Sequence, residues 1–372
     1  MRVALVLTQD RGGPVDLTVA LAREVTDRPG GGTAVMIAGP RPVTSAGDVN
    51  GLLRTVHVRS KTDLAGAREL SKVLREWAPD VVHAQDRRSA LAAVTVARVG
   101  APVAATYHGV PDDAARLWVS EGPLAWRRPS ARALAVLAAD AVVARRATVT
   151  VAPSMTMGAF LRRRLRLSDT KLLVIPNGVA LPPPRPPDGP ARTFISVGTF
   201  ARAKSVGTLV EAFAQVARVR PHLRLLLVGD GGERAACERQ AADLGMADRV
   251  EFAGYRADVP AQLARADAFV LPSINENQPL ALIQAMGAGL ACVGTRVGAV
   301  PELLHNGIGL VVPPADTDAL ASAMAALADD PDLAPSLGRA AAAAAVRFSV
   351  ARCADAHLAL WRALASGTLR TV

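Results

Sequence analysis

Several residue types that could bind a charged ligand lie in the segment SINENQPLALIQAMGAG. Glu276 precedes a helix-like run that Pro279 is predicted to open, because proline fits the first helical turn, where its missing N–H costs nothing. The N–H groups of Gln278, Leu280 and Ala281 would then lie at the positive end of a helix, which favours a bound phosphate. Glu276 would either contact that ligand or only stabilise the helix end.

Two further loops of the same half follow strand-like runs. In SVGTFARAKSVGTLVEAF, Arg202 and Lys204 could neutralise a pyrophosphate, or they could be solvated surface cations. In RLLLVGDGGERAA, Gly229, Gly231 and Gly232 would let backbone N–H groups approach a phosphate or a ring closely. Glycines at such places are also ordinary turn residues.

Polar groups also follow three predicted strands of the first half. The carboxyl ends of parallel strands share one edge of a sheet, so these groups would line one face. A lone histidine is usually structural, so each residue by itself indicates little. The residues are Gly12 and Gly13 after the first strand, His83, Gln85 and Asp86 at the end of another, and His108 after a third.

The elements that would position these residues alternate between short apolar runs and amphipathic helical patterns. This rhythm predicts two doubly wound α/β domains with parallel sheets. The runs of the first half are VALVL, TAVMIA, TVHV, DVVHA, PVAAT and VTVAPS, and those of the second are TFISVG, LRLLLVGD, RVEFAG, AFVLPS, ACVGT and GLVVP.

The predicted domain boundaries follow from a cluster of prolines. The first domain would span residues 1–180, a stiff proline-rich linker residues 181–190, and the second domain residues 191–348. The remaining residues, 349–372, are predicted to form a final helix.

Composition limits the class of protein. The chain has 372 residues, of which 50% are hydrophobic and 20% charged, a globular balance without a run of 18 apolar residues. The N-terminal MRVALVLTQD resembles a first strand and not a signal peptide. Three scattered cysteines indicate a reducing, cytoplasmic location.

The net charge of +10 arises in the first half of the chain. Arg162, Arg163, Arg164 and Arg166 follow MTMGAF in a predicted helix. This helix would either rest peripherally on an anionic membrane, at the inner membrane face, or present an exposed face without a partner.

Other chemistries lack their signatures. The sequence contains no GxSxG, HExxH, Walker, CxxC or Asp-rich metal motif, so no metal is expected. Its thirteen aromatic residues are not interleaved with basic ones, so no nucleic-acid partner is expected either.

Taken together, the motifs resemble glycosyltransferase family four, a retaining group with the GT-B fold of two Rossmann-like domains facing each other across a cleft. The resemblance runs nearly end to end. It includes the glycine pair Gly12–Gly13, DVVHAQD, YHGV, VIPNGV, VGTFARAKS, VGDGGER, RVEFAGYRADV, ADAFVLPS and ENQPLALIQAMGAGLACVGTRVGAVPEL.

The resemblance implies that the second domain binds a nucleotide-diphosphate sugar, with UDP or GDP as the nucleotide, and that no further cofactor is needed. Glu276 would lie beside the donor sugar, Lys204 would bind the pyrophosphate and Gln284 would hold the ribose. The other implied donor residues are Gly12, Gly13, Gly198, Thr199, Arg202, Gly229, Gly254, Tyr255, Arg256, Asn277, Gln278, Pro279 and Leu280.

The first domain would bind a small-molecule or lipid acceptor through Gln85, Asp86 and His108, with His108 facing the transferred sugar. Glu276, Lys204 and His108 would therefore be the catalytic residues, and the final helix would cross back onto the first domain. In the family's reaction the leaving phosphate is thought to help deprotonate the acceptor, so charge stabilisation at the phosphate matters more than a dedicated base.

Two positions depart from the family pattern. Thr199 stands where the family has an arginine, and Gln284 stands where it has a second acid, although an amide can still hydrogen-bond a ribose. Both departures favour one alternative, a relative that binds a nucleotide without turnover. The other alternative is a GT-B sugar epimerase or phosphorylase.

Overall fold

The computed structural model describes residues 1–43, 48–95, 100–110 and 130–369. The chain divides into two compact units. Unit 1 comprises the described residues of Met1–Gly109, Ser130–Val179 and Phe348–Val372. Unit 2 contains Ala180–Arg347.

Unit 1 is built on a parallel sheet of seven strands in the order β3-β2-β1-β4-β5-β6-β7. Its central strands are almost continuously apolar because helices cover both faces of a parallel sheet. The strands are β1 (Arg2–Val6), β2 (Ala34–Gly39), β3 (Leu53–Thr55), β4 (Val81–Ala84), β5 (Val103–Thr106), β6 (Val149–Ala152) and β7 (Leu172–Val174).

The helices of unit 1 begin at residues that satisfy their first N–H groups. The side chains of Asp63, Ser130, Ser154 and Ser349 each accept a hydrogen bond from a backbone N–H of the first turn. The helices are α1 (Gly13–Thr26), α2 (Leu64–Trp77), α3 (Arg87–Thr95), α4 (Ala131–Arg146), α5 (Met155–Leu165) and, from the end of the chain, α13 (Val350–Ala365).

Helix α13 belongs to the core of unit 1, where it packs against α1 and β4. Trp361 is fully buried in this cluster, beside Leu358 and Leu364. Gly178 lies so close to the start of α13 that a Cβ at this position would be 2.4 Å from Cβ of Cys353. The helix is therefore held both by apolar burial and by a backbone contact that only glycine allows.

Unit 2 contains a second parallel sheet, of six strands in the order β10-β9-β8-β11-β12-β13. The order reverses between β8 and β11, which is the place where doubly wound sheets bind ligands. The strands are β8 (Thr193–Val197), β9 (Arg224–Val228), β10 (Val250–Gly254), β11 (Ala268–Leu271), β12 (Ala291–Thr295) and β13 (Leu310–Val312).

The helices of unit 2 bury apolar residues in the core of the unit. Helix α6, for example, buries Leu209, Val210 and Phe213 in the main core cluster of the unit. The helices are α6 (Val206–Ala217), α7 (Arg234–Asp243), α8 (Val259–Leu263), α9 (Leu280–Gly287), α10 (Val300–Leu303), α11 (Thr317–Asp329) and α12 (Leu333–Ala345).

Two details differ from the sequence-based expectation. The run TVHV, residues 55–58, is not a strand beyond Thr55, because β3 spans Leu53–Thr55. The short edge strand Leu172–Val174 was not predicted. The proline-rich segment packs on unit 2, where Arg185 N–H donates to the carbonyl of Ala288 at 2.8 Å.

Among the helices of the described ranges, none combines the length and apolar character needed to cross a bilayer.

Candidate active site

Backbone hydrogen bonds join the carboxyl ends of three strands of unit 2, β8, β9 and β10. Gly198 N–H donates to Val228 O at 2.9 Å, and Gly229 N–H donates to Gly254 O at 2.8 Å. A small pocket opens at this carboxyl edge of the sheet. It is lined by Ser196, Val197, Gly198, Thr199, Phe200, Lys204, Val206, Leu227, Val228, Leu271, Pro272 and Ser273.

Gly229 and Gly231 allow these loops to approach each other. Gly229 has φ +135°, and a Cβ there would lie 1.9 Å from the carbonyl oxygen of Gly198. Gly231 has φ +153°, and a Cβ there would lie 2.5 Å from the carbonyl oxygen of Phe200. The close packing of the loops therefore explains why both residues are glycine, whether or not a phosphate approaches them.

Lys204 and Glu276 form an ion pair in unit 2, although 72 residues separate them in sequence. The Glu276 side chain is only 8% exposed and that of Lys204 31%. Glu276 Oε1 also accepts a hydrogen bond from the hydroxyl of Ser273 at 2.8 Å. Two of the three predicted catalytic residues are therefore in direct contact, in a largely buried environment where a charge needs such partners.

The turn that carries Lys204 is tied to the loop that carries Glu276. Arg202–Lys204 forms a 3-10 turn after β8. The N–H of Ile274 donates to the carbonyl of Ala203 at 2.8 Å. This bond holds the two chain segments together independently of the ion pair.

Helix α9 begins beside the same loop. Pro279 is its N-cap, with φ −72° and ψ 115°, so the helix begins at Leu280, one residue later than the sequence suggested. Asn277 and Gln278 are buried just before it. The N–H groups of Leu280 and Ala281 belong to the first turn, whose donors have no acceptor within the helix.

Gln284 lies in the second turn of α9 and is half-buried. Its amide makes no side-chain hydrogen bond to any residue of the described ranges. A half-buried amide without such a bond has both its donor and its acceptor capacity left for another molecule.

Position 199, where the family has an arginine, and the neighbouring Arg202 are open to solvent. Thr199 and Arg202 are both exposed. Within the part of the chain that the structure describes, Arg202 forms no ion pair. Its charge is thus not engaged by a carboxylate of the described residues.

The segment Gly254–Tyr255–Arg256 follows β10. Gly254 has φ +71°, a conformation that disfavours other residues, and Tyr255 is 63% exposed. Arg234 lies next to it, with Nη1 3.2 Å from the position of a Cβ on Gly254. An exposed aromatic ring and a nearby guanidinium are groups on which a base could stack.

In unit 1, the glycine pair precedes a helix at the carboxyl end of β1. Gly12 is the N-cap of α1 and has φ +99°, and both Gly12 and Gly13 are exposed. The start of α1 therefore presents its backbone to solvent, with Pro14 in the first turn.

The residues after β4 have different environments. The carboxylate of Asp86 accepts hydrogen bonds from Thr8 and from the N–H groups of Arg88 and Ser89. These bonds stabilise the start of α3, which by itself explains an acid at this position. Gln85 is buried, and its Nε2 has no hydrogen-bond partner among the described residues.

His108 lies beside Gln85, with Nε2 3.3 Å from Gln85 Oε1. The residue is half-buried. Burial lowers the pKa of His108 to about 3, and the nearby His357 adds to this shift. A neutral imidazole at this place can accept or donate a hydrogen bond but brings no positive charge at neutral pH.

His83 was grouped with these residues from the sequence, but it is completely buried. Its Nδ1 accepts from Trp361 Nε1–H at 3.1 Å, and its Nε2 lies 2.8 Å from Thr106 Oγ1. Because Nδ1 is an acceptor here, Nε2 carries the proton and donates to the threonine. His83 therefore joins β4, β5 and α13 and has no open side.

Two family models match the chain, one to each half. Residues 12–181 match the model described as "Glycosyltransferase Family 4", and residues 191–330 match the one described as "Glycosyl transferases group 1".

The chain belongs to glycosyltransferase family 4.

Curated relatives support the same membership. The chain is 34% identical to N-acetyl-alpha-D-glucosaminyl L-malate synthase of Bacillus anthracis over 151 residues, which are 40% of this chain and 39% of that one. It is 29% identical to glycogen synthase of Mycobacterium tuberculosis over 276 residues, 72% of this chain and 64% of that one. The chain thus spans less than two thirds of either relative.

A solved structure shows the same fold along nearly the whole chain. HepE of Anabaena, in complex with UDP and glucose, superimposes with a TM-score of 0.79 at 19% identity, over 98% of this chain and 100% of that one. This likeness, together with the two parallel sheets, shows that the family 4 chain has the two-domain α/β GT-B fold predicted from its sequence.

The structure of this family 4 protein adds residues that the sequence did not indicate. Ser273 contacts Glu276, and Thr295 Oγ1 in turn donates to the carbonyl of Ser273 at 2.5 Å. The serine could have been noticed in the sequence, since it immediately follows a buried strand and is three residues before the acid. No signal pointed to Thr295, because its contact depends on the pairing of β11 with β12.

Within the described residues, His, Cys, Asp and Glu side chains form no group of three that could hold a metal. A reaction without a metal remains a prediction.

Proposed function

We propose that this protein is a retaining glycosyltransferase that moves a sugar, a hexose or another glycosyl group, from a nucleotide-diphosphate donor to an acceptor hydroxyl. The observation that carries the proposal is the meeting of Lys204, Glu276 and the start of α9 at the carboxyl edge of one sheet. A lysine and a helix N-terminus are complementary to a diphosphate, and a neighbouring carboxylate is complementary to sugar hydroxyls.

The proposed division of roles follows from the charges. Lys204 and the N–H groups at the start of α9 would hold the diphosphate and stabilise the negative charge that grows on it as the sugar leaves. In the absence of a donor, Lys204 and Glu276 balance each other's charge. A bound diphosphate would compete for the lysine and release the carboxylate to the sugar.

A nucleotide sugar as the donor is supported by structures of HepE of Anabaena with UDP, with UDP and glucose, and with UDP-glucose. We therefore propose UDP first and GDP second. Tyr255 and Arg234 would border the base, and Gln284 would bind the ribose. Gln284 offers one acceptor oxygen where a carboxylate offers two, so it should hold the ribose less firmly.

For the acceptor, we propose a hydroxyl-bearing small molecule or lipid that binds at Gln85 and His108. The buried Nε2 of Gln85 lacks a partner within the described residues, which costs about 1 to 3 kcal/mol unless a ligand or water supplies an acceptor. Asp86 is already used by Thr8 and the start of α3, so it would support this loop and not contact the acceptor.

The test is an assay of transfer and hydrolysis with a panel of UDP and GDP sugars, with the anomeric configuration of each product determined by NMR. Transfer with retention is the expected result. Nucleotide binding without turnover would instead favour a non-catalytic relative. Thr199, which is exposed, and Gln284, which is neutral, also favour that alternative. Interconversion of free nucleotide sugars, or phosphorolysis, would favour an epimerase or a phosphorylase.

We also propose a peripheral contact with an anionic membrane through a basic cluster of unit 1. Helix α4 packs against α5, and Lys171, in the turn after α5, donates from Nζ to the carbonyl of Arg145 at the end of α4, at 2.5 Å. Only Arg162 of the cluster forms an ion pair within the described ranges, with Asp169 at 2.6 Å. The basic cluster consists of Arg145, Arg146, Arg162, Arg163, Arg164, Arg166 and Lys171.

The basic cluster lies at the amino edge of the seven-stranded sheet, because α4 precedes β6 and α5 precedes β7. Gln85 and His108 follow β4 and β5 at the opposite, carboxyl edge. A membrane contact at the cluster would therefore retain the protein at the inner membrane face without placing the bilayer against the acceptor residues. The three buried, unpaired cysteines support the same reducing, cytoplasmic compartment.

Co-sedimentation with phosphatidylglycerol-containing vesicles, and with phosphatidylcholine vesicles alone, tests this contact at low and at physiological ionic strength. Replacing three unpaired arginines of the cluster by glutamine should weaken binding by about 3 kcal/mol, at about 1 kcal/mol each. If the wild type does not bind anionic vesicles, the basic cluster is a solvated surface without a membrane partner. A soluble molecule is then the better candidate for the acceptor. The test variant is Arg163→Gln/Arg164→Gln/Arg166→Gln, and the control of equal charge, from exposed positions elsewhere in unit 1, is Arg54→Gln/Arg59→Gln/Arg68→Gln.

A further inference from the structure

Ser273 is a completely buried serine two residues after the end of β11, and it lines the pocket at the carboxyl edge of the sheet. Its hydroxyl donates to Glu276 Oε1 at 2.8 Å. Lys204 Nζ contacts the same carboxylate oxygen. Glu276 thus has one charged and one neutral hydrogen-bond donor on one oxygen, and these two donors come from different elements of unit 2.

The position of Ser273 is fixed from the neighbouring strand. Thr295 ends β12 and is buried, and its hydroxyl donates to the carbonyl of Ser273 at 2.5 Å. The same hydroxyl lies 3.4 Å from the carbonyl of Leu271. Because its backbone is held in this way, the short Ser273 side chain can reach Glu276 without being free to move away from it.

The backbone around Glu276 is also restrained from its other side. Gly298 has φ +52°, and a Cβ there would lie 2.1 Å from the carbonyl oxygen of Glu276. The N–H of Ala299 donates to the carbonyl of Asn277 at 2.7 Å. The backbone of the loop is therefore fixed by β12 and the loop after it, and Ser273 restrains the carboxylate itself.

The two hydrogen-bond donors to Glu276 differ in how easily a bound ligand can displace them. Lys204 has a long, flexible side chain that is 31% exposed, so it can turn to a bound diphosphate. Ser273 has a single rotatable bond to its hydroxyl and no exposure to solvent. When an anion draws the lysine away, the serine hydroxyl remains in place.

We propose that Ser273 is a positioning residue that orients the carboxylate of Glu276 while the donor is bound. The proposal rests on the function proposed above. The serine does not touch the reacting atoms in this arrangement; it acts through Glu276. Its contribution should therefore appear mainly in the transition state, where the direction of the carboxylate matters most, and little in nucleotide binding.

The test compares Ser273→Ala with Ser273→Thr and with Thr295→Val, an isosteric change that removes the hydroxyl bonded to Ser273. We expect kcat of Ser273→Ala to fall about 10- to 100-fold, the range for a lost hydrogen bond to a charged group. Nucleotide affinity, measured by calorimetry with UDP and GDP, should change less than about twofold. Ser273→Thr should recover most of the rate, and Thr295→Val should show a smaller loss of the same kind.

Two controls separate positioning from stability and from the function itself. Ser71→Ala removes another buried serine, in α2 of unit 1, and should leave kcat unchanged. Thermal unfolding of every variant shows whether a lost rate reflects a lost fold. Glu276→Ala measures the function of the carboxylate independently of Ser273.

The possible outcomes are distinct. Normal kcat in Ser273→Ala, with a large loss in Glu276→Ala, would overturn this inference and leave the proposed function intact. A loss confined to nucleotide affinity or to KM for the donor would overturn it too, because Ser273 would then bind the donor directly. Normal turnover in Glu276→Ala would overturn the catalytic function of the carboxylate and this inference with it.

Discussion

Acid should destabilise unit 1 through its histidines of lowered pKa, among them His83 and His357. Their ring centroids are 5.4 Å apart, and Trp361 packs against both rings. His357 Nδ1 donates to the carbonyl of Cys353 at 2.8 Å. Burial lowers the pKa of His357 to about 4, and burial together with the nearby histidines lowers the pKa of His83 well below its usual value.

The direction of the effect follows from proton linkage. A histidine in the unfolded chain has a pKa of about 6.5, so on acidification the unfolded state takes up protons first. The stabilisation is therefore fully present above pH 6.5 and is lost as the pH falls toward the folded-state pKa. Each pH unit below 6.5 costs about 1.4 kcal/mol per histidine, so His357 alone should remove about 2 kcal/mol at pH 5, and the lowered pKa values of His83 and His108 add to this loss. That loss is a large part of the about 5 to 15 kcal/mol that stabilises a typical domain.

The assay is urea unfolding at several pH values between 7.5 and 5, followed by the fluorescence of Trp361. A variant that retains only this tryptophan reports on the histidines directly. His357→Phe removes one of the three titrating groups, so at pH 5 its loss of stability on acidification should be about 2 kcal/mol smaller than that of the parent. The exposed His57 provides the control, His57→Asn, which should behave like the parent.

The prediction would be contradicted by equal stability at pH 7.5 and pH 5, since buried neutral histidines require a loss. It would also fail if His357→Phe retained the full pH dependence. In that case groups other than the histidines around Trp361 would be responsible for the acid sensitivity.

Four further predictions concern the candidate active site. Glu276→Ala should lower turnover at least about a hundredfold, about 3 kcal/mol, while calorimetry shows a much smaller loss of nucleotide affinity; near-normal turnover would mean that the acid only stabilises its helix. Gln284→Ala should weaken binding of donor and free nucleotide alike by about 1 to 2 kcal/mol, and unchanged affinity would contradict a ribose contact. Lys204→Ala should reduce both rate and affinity, because the lysine meets ground-state and leaving-group charge. Gly298→Ala should displace the Glu276 carbonyl, which lies 2.1 Å from the new Cβ, and so lower both the melting temperature and kcat; a wild-type rate would show that the loop adapts.

Much of the fold could be predicted because parallel sheets leave a strong pattern. Buried strands such as β9, Arg224–Val228, are short, almost wholly apolar runs followed by glycine, and amphipathic helices separate them. Edge strands carry a weaker signal. Both β3 and β7 have three residues and pair on one side only, so their half-exposed residues do not stand out from a loop.

The candidate site was predictable in part for a similar reason. Polar residues after a buried strand indicate the carboxyl edge of a sheet, which pointed to Lys204 and Glu276. Their direct contact was not predictable, because it depends on the position of β8 beside β11, which are far apart in sequence. The cluster of His83, His357 and Trp361 depends in the same way on where α13 packs.

The packing of α13 has a consequence for how the protein is made. Helix α13 supplies Trp361 to the core of unit 1, yet in chain order it follows all of Ala180–Arg347. While the ribosome is still translating unit 2, the sheet of unit 1 therefore has an open apolar surface where α13 will pack. Since domains tend to fold in the order of their synthesis, this nascent chain should bind chaperones until α13 emerges. Unit 2 is in effect an insertion in unit 1, and exchanging it between relatives requires two junctions, one near Val179 and one near Phe348.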